Sequence, residues 1–284
     1  MSQLRIDAKF PPQGTVWNDI RDAAQLIDSS NLFEGIWFFD HLASVQTGPN
    51  GSDIPQSIFE GWSIVAALAS ITKNVRLGLL VSSLPYRPLG LLTKIVSTLD
   101  NISSGRIDLG LGAGNNELEA KAFGIPFPSV SDRITMLEES CQALQLLLQN
   151  TLPVVYSGKF IQINGARNDP SPINGSVPIF IGGKGEKKMF PIVAKYADFW
   201  NYSNGTPEEF GIKFHRLSEI SKTITPNRPV PRASVQVQVK PAEIDSSTRL
   251  AEAYIAQGAS HIVLYAVANQ NSIQAMEIIA SRLK

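Results

Sequence analysis

Short β-rich apolar runs alternate with longer segments of helical period along the whole chain, and this alternation constrains the fold more than any other feature. It is typical of β–α–β units, whose strands pair in parallel. Eight runs have the composition of strands: residues 4–9, 35–39, 75–81, 107–111, 177–181, 198–201, 233–239 and 261–265. Eight strands that are each followed by a helix close into a barrel, whereas an open doubly wound sheet has edges and usually fewer strands. The sequence therefore predicts an α/β fold, a (β/α)₈ TIM barrel, as a single domain over residues 1–284.

The segments between the strand candidates carry apolar residues three and four positions apart, as amphipathic helices do. The clearest helix start follows the sixth strand, where Thr206 precedes Pro207 and two glutamates. A capping hydroxyl, a proline at the first helical position and a carboxylate in the first turn are typical of a helix N-terminus. The one cysteine, Cys141, falls on the apolar stripe of another helix, so we expect it to fill the core and not to react.

One irregularity interrupts the repeat between the fourth and fifth strands. Prolines recur there at positions 153, 170, 172 and 178, and residues 154–161 have the pattern of a β-hairpin. We expect this segment to be an insertion that caps the catalytic mouth of the barrel.

The charge balance argues against nucleic acid and anionic membranes as partners. Lys and Arg number 25 and Asp and Glu number 25, so no net field attracts such surfaces and any phosphate site must be local. The first residues do not form a basic stretch followed by an apolar run, and no apolar segment reaches 18 residues. These features predict a cytoplasmic protein.

In a barrel of this kind the reacting groups lie at the carboxyl ends of the strands. Asp40 and His41 follow the second strand candidate. An imidazole there can transfer a proton near neutral pH while the neighbouring carboxylate orients it, and the alternative is that His41 only satisfies a loop hydrogen bond. His261 begins the last strand and His215 lies in a surface-type helix, so we expect both to be structural.

A run of small residues follows the fourth strand. It comprises Gly112, Ala113, Gly114, Asn115, Asn116 and then Glu117. Small side chains let a planar ligand press against the backbone. A dinucleotide-binding fingerprint is the alternative, but that motif needs G-x-G-x-x-G at the first strand-to-helix turn, and here the spacing is G-x-G-x-G in mid-chain.

A second glycine cluster follows the fifth strand candidate. Gly182, Gly183, Lys184 and Gly185 precede a helix, and they offer backbone N–H groups and one cation to a phosphate. A plain glycine turn is an equally good interpretation of this cluster by itself. Its agreement in position with the loop after the fourth strand favours a binding role.

Six blocks in order along the chain resemble the luciferase-like monooxygenase superfamily. They are residues 35–41, 76–88, 98–106, 110–117, 122–127 and 196–201. Together they span nearly the whole chain, in register with the eight strand candidates. The subgroup that the sequence most resembles uses coenzyme F420, a deazaflavin, while other members use reduced FMN and oxygen.

The resemblance implies roles for particular residues. Asp40 and His41 would lie beside the flavin ring, with His41 as the proton-transfer or hydrogen-bonding group and Asp40 orienting it. A non-proline cis peptide bond and a bulge would back the ring at Leu80 and Val81 or a neighbour. The next two residues, Ser82 and Ser83, would offer hydroxyls to the cofactor.

One position departs from the family pattern. Deazaflavin-dependent sugar-phosphate dehydrogenases have a catalytic glutamate directly after the Gly-x-Gly of the fourth strand, where this chain has Asn115. An amide cannot transfer a proton, so either Glu117 or a substrate group substitutes, or the reaction needs no second acid.

These observations predict an oxidoreductase that transfers a hydride between coenzyme F420 and a small organic substrate. The alternatives are an FMN-dependent monooxygenase and a non-catalytic flavin-binding protein. No metal site is expected, because the first strand ends in Lys9 and Phe10 without a His-x-His pair. The resemblance also implies a homodimer, for which an apolar helix over residues 57–71 is the candidate contact, and an equally good interpretation is that this helix only packs on the barrel.

Overall fold

The computed structural model describes residues 3–43, 56–149 and 152–284. Its strands are β1 (Arg5–Lys9), β2 (Gly35–Phe38), β3 (Arg76–Ser83), β4 (Ile107–Gly112), β5 (Val154–Ser157), β6 (Gln162–Ala166), β7 (Ile179–Gly182), β8 (Phe199–Tyr202), β9 (Arg232–Gln238) and β10 (His261–Tyr265). Eight of them form a closed barrel in the order β1-β2-β3-β4-β7-β8-β9-β10, and every barrel pairing is parallel. The predicted (β/α)₈ barrel is confirmed.

Helices surround the barrel with their apolar faces toward it. They are α1 (Trp17–Ser29), α2 (Gly61–Ile71), α3 (Leu89–Ile102), α4 (Glu117–Ala122), α5 (Val130–Gln149), α6 (Met189–Tyr196), α7 (Pro207–Ile224), α8 (Ile244–Ala256) and α9 (Gln270–Leu283). The Thr206 hydroxyl caps α7 by accepting the N–H of Glu209, as the sequence predicts. Cys141 is fully buried in the core, where burial raises the pKa of its thiol. In the part of the chain that the structure describes, no helix combines the length and apolarity needed to span a bilayer.

The insertion between β4 and β7 contains the expected hairpin, because β5 and β6 pair antiparallel. Its turn is held by Glu139 of α5, whose carboxylate accepts the backbone N–H groups of residues 159–161 at 2.7–3.0 Å. The hairpin therefore packs on the outer side of α5. None of its described residues is in the lining of the barrel cavity, and its role as a cap of the mouth stays a prediction.

Buried charges fill the amino-terminal end of the barrel. Arg5 lies 2.6 Å from Asp7 and 2.7 Å from Asp108, and His261 Nε2 lies 2.9 Å from Asp7. Burial would raise the pKa of Asp7, but Arg5 and His261 hold it well below its ordinary value. Each charge thus has a partner, as buried ions require. The structural role expected for His261 fits this position.

Strand β3 is irregular where it reaches the opposite, carboxyl end. Its pairing with β4 shifts register between Leu79 and Ser82, and the peptide bond between Leu80 and Val81 is cis. The predicted location of the cis bond and bulge is confirmed. The irregularity turns Val81 toward the barrel mouth, where it contributes to the lining of a cavity.

Candidate active site

A cavity of about 900 Å³ opens at the carboxyl ends of the barrel strands. This volume lies within the range of cofactor and drug-sized sites. The predicted site residues among its lining are Asp40, His41, Leu80, Val81, Ser83, Gly112, Ala113, Gly114, Asn115, Gly182 and Gly183. The carboxyl ends of β2, β3, β4 and β7, with the residues that follow them, therefore meet at one cavity.

Glycines form one wall of this cavity, and Val81 lies against them. A Cβ atom on Gly112 would stand 2.6 Å from Val81 Cγ2, so only glycine lets β4 approach the bulge of β3. A Cβ on Gly182 would stand 3.6 Å from the nearest Val81 methyl, which is ordinary contact. Gly114 has φ +81°, a conformation that side chains rarely adopt. The wall therefore combines exposed backbone with a single branched side chain.

His41 has a buried carboxylate partner. Its Nδ1 lies 2.8 Å from Glu119 Oε2, and the Glu119 side chain is only 1% exposed. The same carboxylate accepts the Tyr86 hydroxyl and the backbone N–H groups of Leu42 and Ala43. Burial would raise the pKa of Glu119, but these hydrogen bonds, with that of His41 first, lower it to about 2. Glu119 is consequently ionised near neutral pH.

An ionised carboxylate only accepts hydrogen bonds, so His41 must donate through Nδ1. In the neutral ring this leaves Nε2 unprotonated, and within residues 3–43, 56–149 and 152–284 no group bonds to it. The ring lines the cavity and its side chain is 23% exposed. The arrangement holds the donor nitrogen Nδ1 on Glu119 and leaves Nε2 as an acceptor on a ring that lines the cavity, which is the geometry a general base needs.

The glutamate that the sequence singled out lies elsewhere. Glu117 is exposed at the start of α4 and forms an i,i+4 pair with Lys121 at 2.8 Å, outside the cavity lining. Two residues further along the helix, Glu119 points to the buried side. The sequence carried a signal for this, because Asn116 and Glu119 have the spacing of a capping box. Asn116 indeed caps α4 by accepting the N–H of Glu119 at 3.1 Å, so its side chain serves the helix and lies outside the lining.

Asp40 does not orient His41, contrary to the implication of the resemblance. Its carboxylate accepts hydrogen bonds from both terminal nitrogens of Arg87, at 2.6 and 2.8 Å, and from the backbone N–H of Ser83 at 2.9 Å. Asp40 thereby ties the end of β2 to the segment after the β3 bulge. Of the two serines there, Ser83 lines the cavity, whereas the Ser82 hydroxyl is buried against α2 and accepts the indole N–H of Trp62.

Only half of the second glycine cluster reaches the cavity. Gly182 and Gly183 line it, but Lys184 and Gly185 do not. The Lys184 ammonium donates to the Asn204 carbonyl and lies 4.5 Å from the ring centroid of Tyr202. A turn also separates the glycines from α6, which begins at Met189. Lys184 thus lies behind the lining residue Asn204, and Met189, the first residue of α6, is itself in the lining, so a phosphate role for this cluster stays a prediction.

Sequence reasoning gave no role to Lys9, which lies in the cavity lining. Its Nζ donates to Gln236 Oε1 at 2.7 Å and to the Leu80 carbonyl at 3.2 Å. It also lies 5.2 Å from the ring centroid of Tyr265. Burial lowers the pKa of Lys9 to about 7. A polar residue at the end of a barrel strand is the pattern that could have identified it.

The profile of the luciferase-like monooxygenase family matches residues 3–280. The chain belongs to this family. A 5,10-methylenetetrahydromethanopterin reductase of Archaeoglobus fulgidus is 28% identical over 208 residues, which are 72% of this chain and 60% of the relative. An uncharacterised protein of Mycobacterium tuberculosis is 31% identical over 140 residues, 49% of this chain and 48% of the relative, so the match spans about half of that protein.

Among solved structures, an F420-dependent secondary alcohol dehydrogenase in complex with an F420–acetone adduct superposes with a TM-score of 0.82. The identity is 15%, and 98% of each chain is covered. At this level of identity the likeness concerns the fold.

Proposed function

We propose that this protein is an oxidoreductase that transfers a hydride between coenzyme F420 and a small organic substrate. The observation that carries the proposal is the His41–Glu119 pair at the rim of a glycine-walled cavity. Such a pair provides a proton-transfer group at the place where a planar cofactor and a substrate would meet. The names of the reductase relative and of the F420-dependent structural neighbour support this class of reaction.

The residues present fit a tricyclic cofactor. The ring would lie against Val81 and the backbone of Gly112 and Gly182, where there are no side chains to displace. Ser83 and Asn115 both lie in the lining, so they would offer a hydroxyl and an amide to polar atoms of the ligand. The bound deazaflavin supplies hydride chemistry.

The chain's own contribution is to hold and move a proton. His41 Nε2 takes a proton from a substrate group or returns one, while Nδ1 remains bonded to Glu119. The carboxylate keeps the imidazole in one tautomer and one orientation. Asp40 and Arg87 fix the segment that carries Ser83, so they position the cavity wall and do not themselves react.

The test is to measure binding of F420 and of FMN to purified protein by fluorescence, and then to follow reduction of F420 by a panel of alcohols and the reverse reaction with carbonyl compounds. We expect F420 binding and substrate-dependent change of its absorbance without oxygen uptake. Oxygen consumption coupled to substrate with reduced FMN would overturn the deazaflavin assignment in favour of a monooxygenase. Binding of a flavin without any turnover would favour a non-catalytic role.

A homodimer is a further proposal, with α2 as the candidate contact. A groove between α2 and α3 has the exposed Leu91 and the half-buried Ile95 in its lining. Light scattering measures the mass in solution, and a monomer at all accessible concentrations would exclude this arrangement.

A further inference from the structure

Lys9 is a buried cation for which the structure shows no counter-ion. The residue is 6% exposed, and no carboxylate within the described part of the chain lies within ion-pair distance of Nζ. Its two hydrogen-bond acceptors, Gln236 and the Leu80 carbonyl, are uncharged. An ammonium has three N–H groups, and two hydrogen-bond acceptors are present, with the Tyr265 ring 5.2 Å from Nζ, so a negatively charged partner is missing.

A chain of amides holds the acceptor of Lys9 in place. Gln236 Nε2 donates to Asn201 Oδ1 at 3.0 Å, and Asn201 Nδ2 donates to Ser234 Oγ at 3.0 Å. Because Lys9 only donates, Gln236 must turn its carbonyl oxygen toward it, and the amide nitrogen is then used by Asn201. The ammonium is consequently fixed in position, not free to leave the cavity floor.

The rest of the cavity lining carries little negative charge. Asp40 is the one carboxylate among the described lining residues, and Arg87 already neutralises it. Arg133 is a second cation in the lining, although it donates to the Ala113 and Pro128 carbonyls and stacks on Phe127. A ligand with a negative oxygen would therefore remove the cost of an unpaired buried charge.

We infer that Lys9 is the binding group for a carboxylate of the substrate, so that the substrates of this enzyme are small organic anions. The inference rests on the proposed function, because it names the substrate class of that site. Nζ lies beside the Leu80 carbonyl at the β3 bulge, so an anchored anion lies next to the wall assigned to the ring. Lys9 acts here as a positioning residue, and the proton transfer remains with His41.

Burial of the amine gives the site a dependence on pH. Its pKa is lowered to about 7, and a carboxylate binds the protonated form. Affinity for an anion therefore falls as the pH rises through about 7, by about tenfold per pH unit above it. Tyr265 of β10 is packed directly against the amine, and the other titratable groups of the lining are Asp40, His41, Tyr86, Arg133 and Tyr254.

The test uses benzoate and benzamide, which share a shape and differ in charge, with cofactor-free protein in a calorimeter. We expect benzoate to bind at millimolar concentration or better and more tightly than benzamide, and Lys9→Met to weaken benzoate by about 10- to 100-fold. Benzamide should bind Lys9→Met and the native protein alike. Lys222→Met, which removes an exposed lysine of α7, is the matched control and should change neither affinity.

Three results would overturn the inference: equal affinity for the two probes, no binding of benzoate, or benzoate binding that survives Lys9→Met. The pH series uses native protein and His41→Gln, so it decides the question even where Lys9→Met does not fold. Retention of the pH dependence in His41→Gln supports Lys9, and its loss overturns the assignment.

A further experiment shows whether the anion that binds Lys9 belongs to the substrate or to the cofactor. F420 affinity, measured by fluorescence, should be the same for native protein and Lys9→Met. A parallel loss of F420 binding would show that the anion belongs to the cofactor, and the substrate assignment would fall. Because the probe titration needs no cofactor, a protein that binds benzoate through Lys9 but never reacts with F420 would refute the proposed function alone.

Discussion

Glu119→Gln tests the charge network behind His41. The carboxylate accepts four donors, from His41, Tyr86, Leu42 and Ala43. Glutamine keeps one carbonyl oxygen for the two backbone N–H groups, but it places an NH₂ group against the imidazole and the phenol. Two hydrogen bonds to a charged acceptor are lost, each worth about 1.5–3 kcal/mol, and rotation of the Tyr86 hydroxyl recovers part of this. We expect a net loss of about 2–4 kcal/mol in the free energy of unfolding.

The corresponding change in melting temperature follows from chain length. Unfolding entropy is about 2.1 cal/mol/K per residue, or about 0.6 kcal/mol/K for 284 residues. The loss therefore lowers Tm by about 3–7 °C, which differential scanning calorimetry resolves. Glu117→Gln is the control on the same helix, because its exposed pair with Lys121 is screened by solvent and its loss should leave Tm unchanged.

The Tm difference between native protein and Glu119→Gln should depend on pH in a defined direction. The pKa of Glu119 is lowered in the folded protein to about 2, from an ordinary value of 4.5. A group with a lowered pKa stabilises the fold above its unfolded value, and this contribution is lost as the pH falls toward the folded value. The Tm difference between native protein and Glu119→Gln should be full at about pH 7 and smaller at about pH 3. Equal melting temperatures at neutral pH, or a difference that does not shrink in acid, would refute the reasoning.

Other substitutions separate chemistry from packing. His41→Ala should lower turnover by about 10²-fold with F420 affinity retained, and unchanged turnover would remove His41 from proton transfer. Gly112→Ala places a Cβ 2.6 Å from Val81 Cγ2, so it should destabilise the protein by about 1–3 kcal/mol in urea titrations, and a variant of native stability would contradict that contact. In Gly182→Ala the new Cβ lies 3.6 Å from Val81, so the free energy of unfolding should change by less than about 0.5 kcal/mol. The added methyl should nevertheless weaken F420 binding, and an unaltered affinity would show that the ring does not lie against Gly182.

The architecture and the cavity wall were predictable from sequence because both follow from periodicity. Eight strand patterns predict a barrel, and the barrel places His41, Val81 and Gly112 at one end whatever the loops do. The identity of the carboxylate that contacts His41 was not predictable in the same way. Whether Asp40 or Glu119 faces His41 depends on the helical phase of α4, in which two residues, the separation of Glu117 and Glu119, turn the side chain by about 200° and so exchange outward and inward positions.

The hairpin of β5 and β6 shows the same limit. Its strands and turn were visible as a local pattern, but the surface it packs on is set by long-range contacts to Glu139. Lys9 was overlooked for a different reason. A lysine ending a strand is unremarkable until burial and the absence of a carboxylate are known, and neither can be read from neighbouring residues.

Helix α4 is only six residues long, and it carries the carboxylate that sets the tautomer of His41. Helices of this length are marginal in isolation and open more readily than the barrel around them. Each opening of α4 would release the imidazole to rotate, without unfolding the protein. If the His41–Glu119 pair transfers the proton, opening of α4 would interrupt catalysis while the barrel stays folded, and amide hydrogen exchange at residues 117–122 would report that opening.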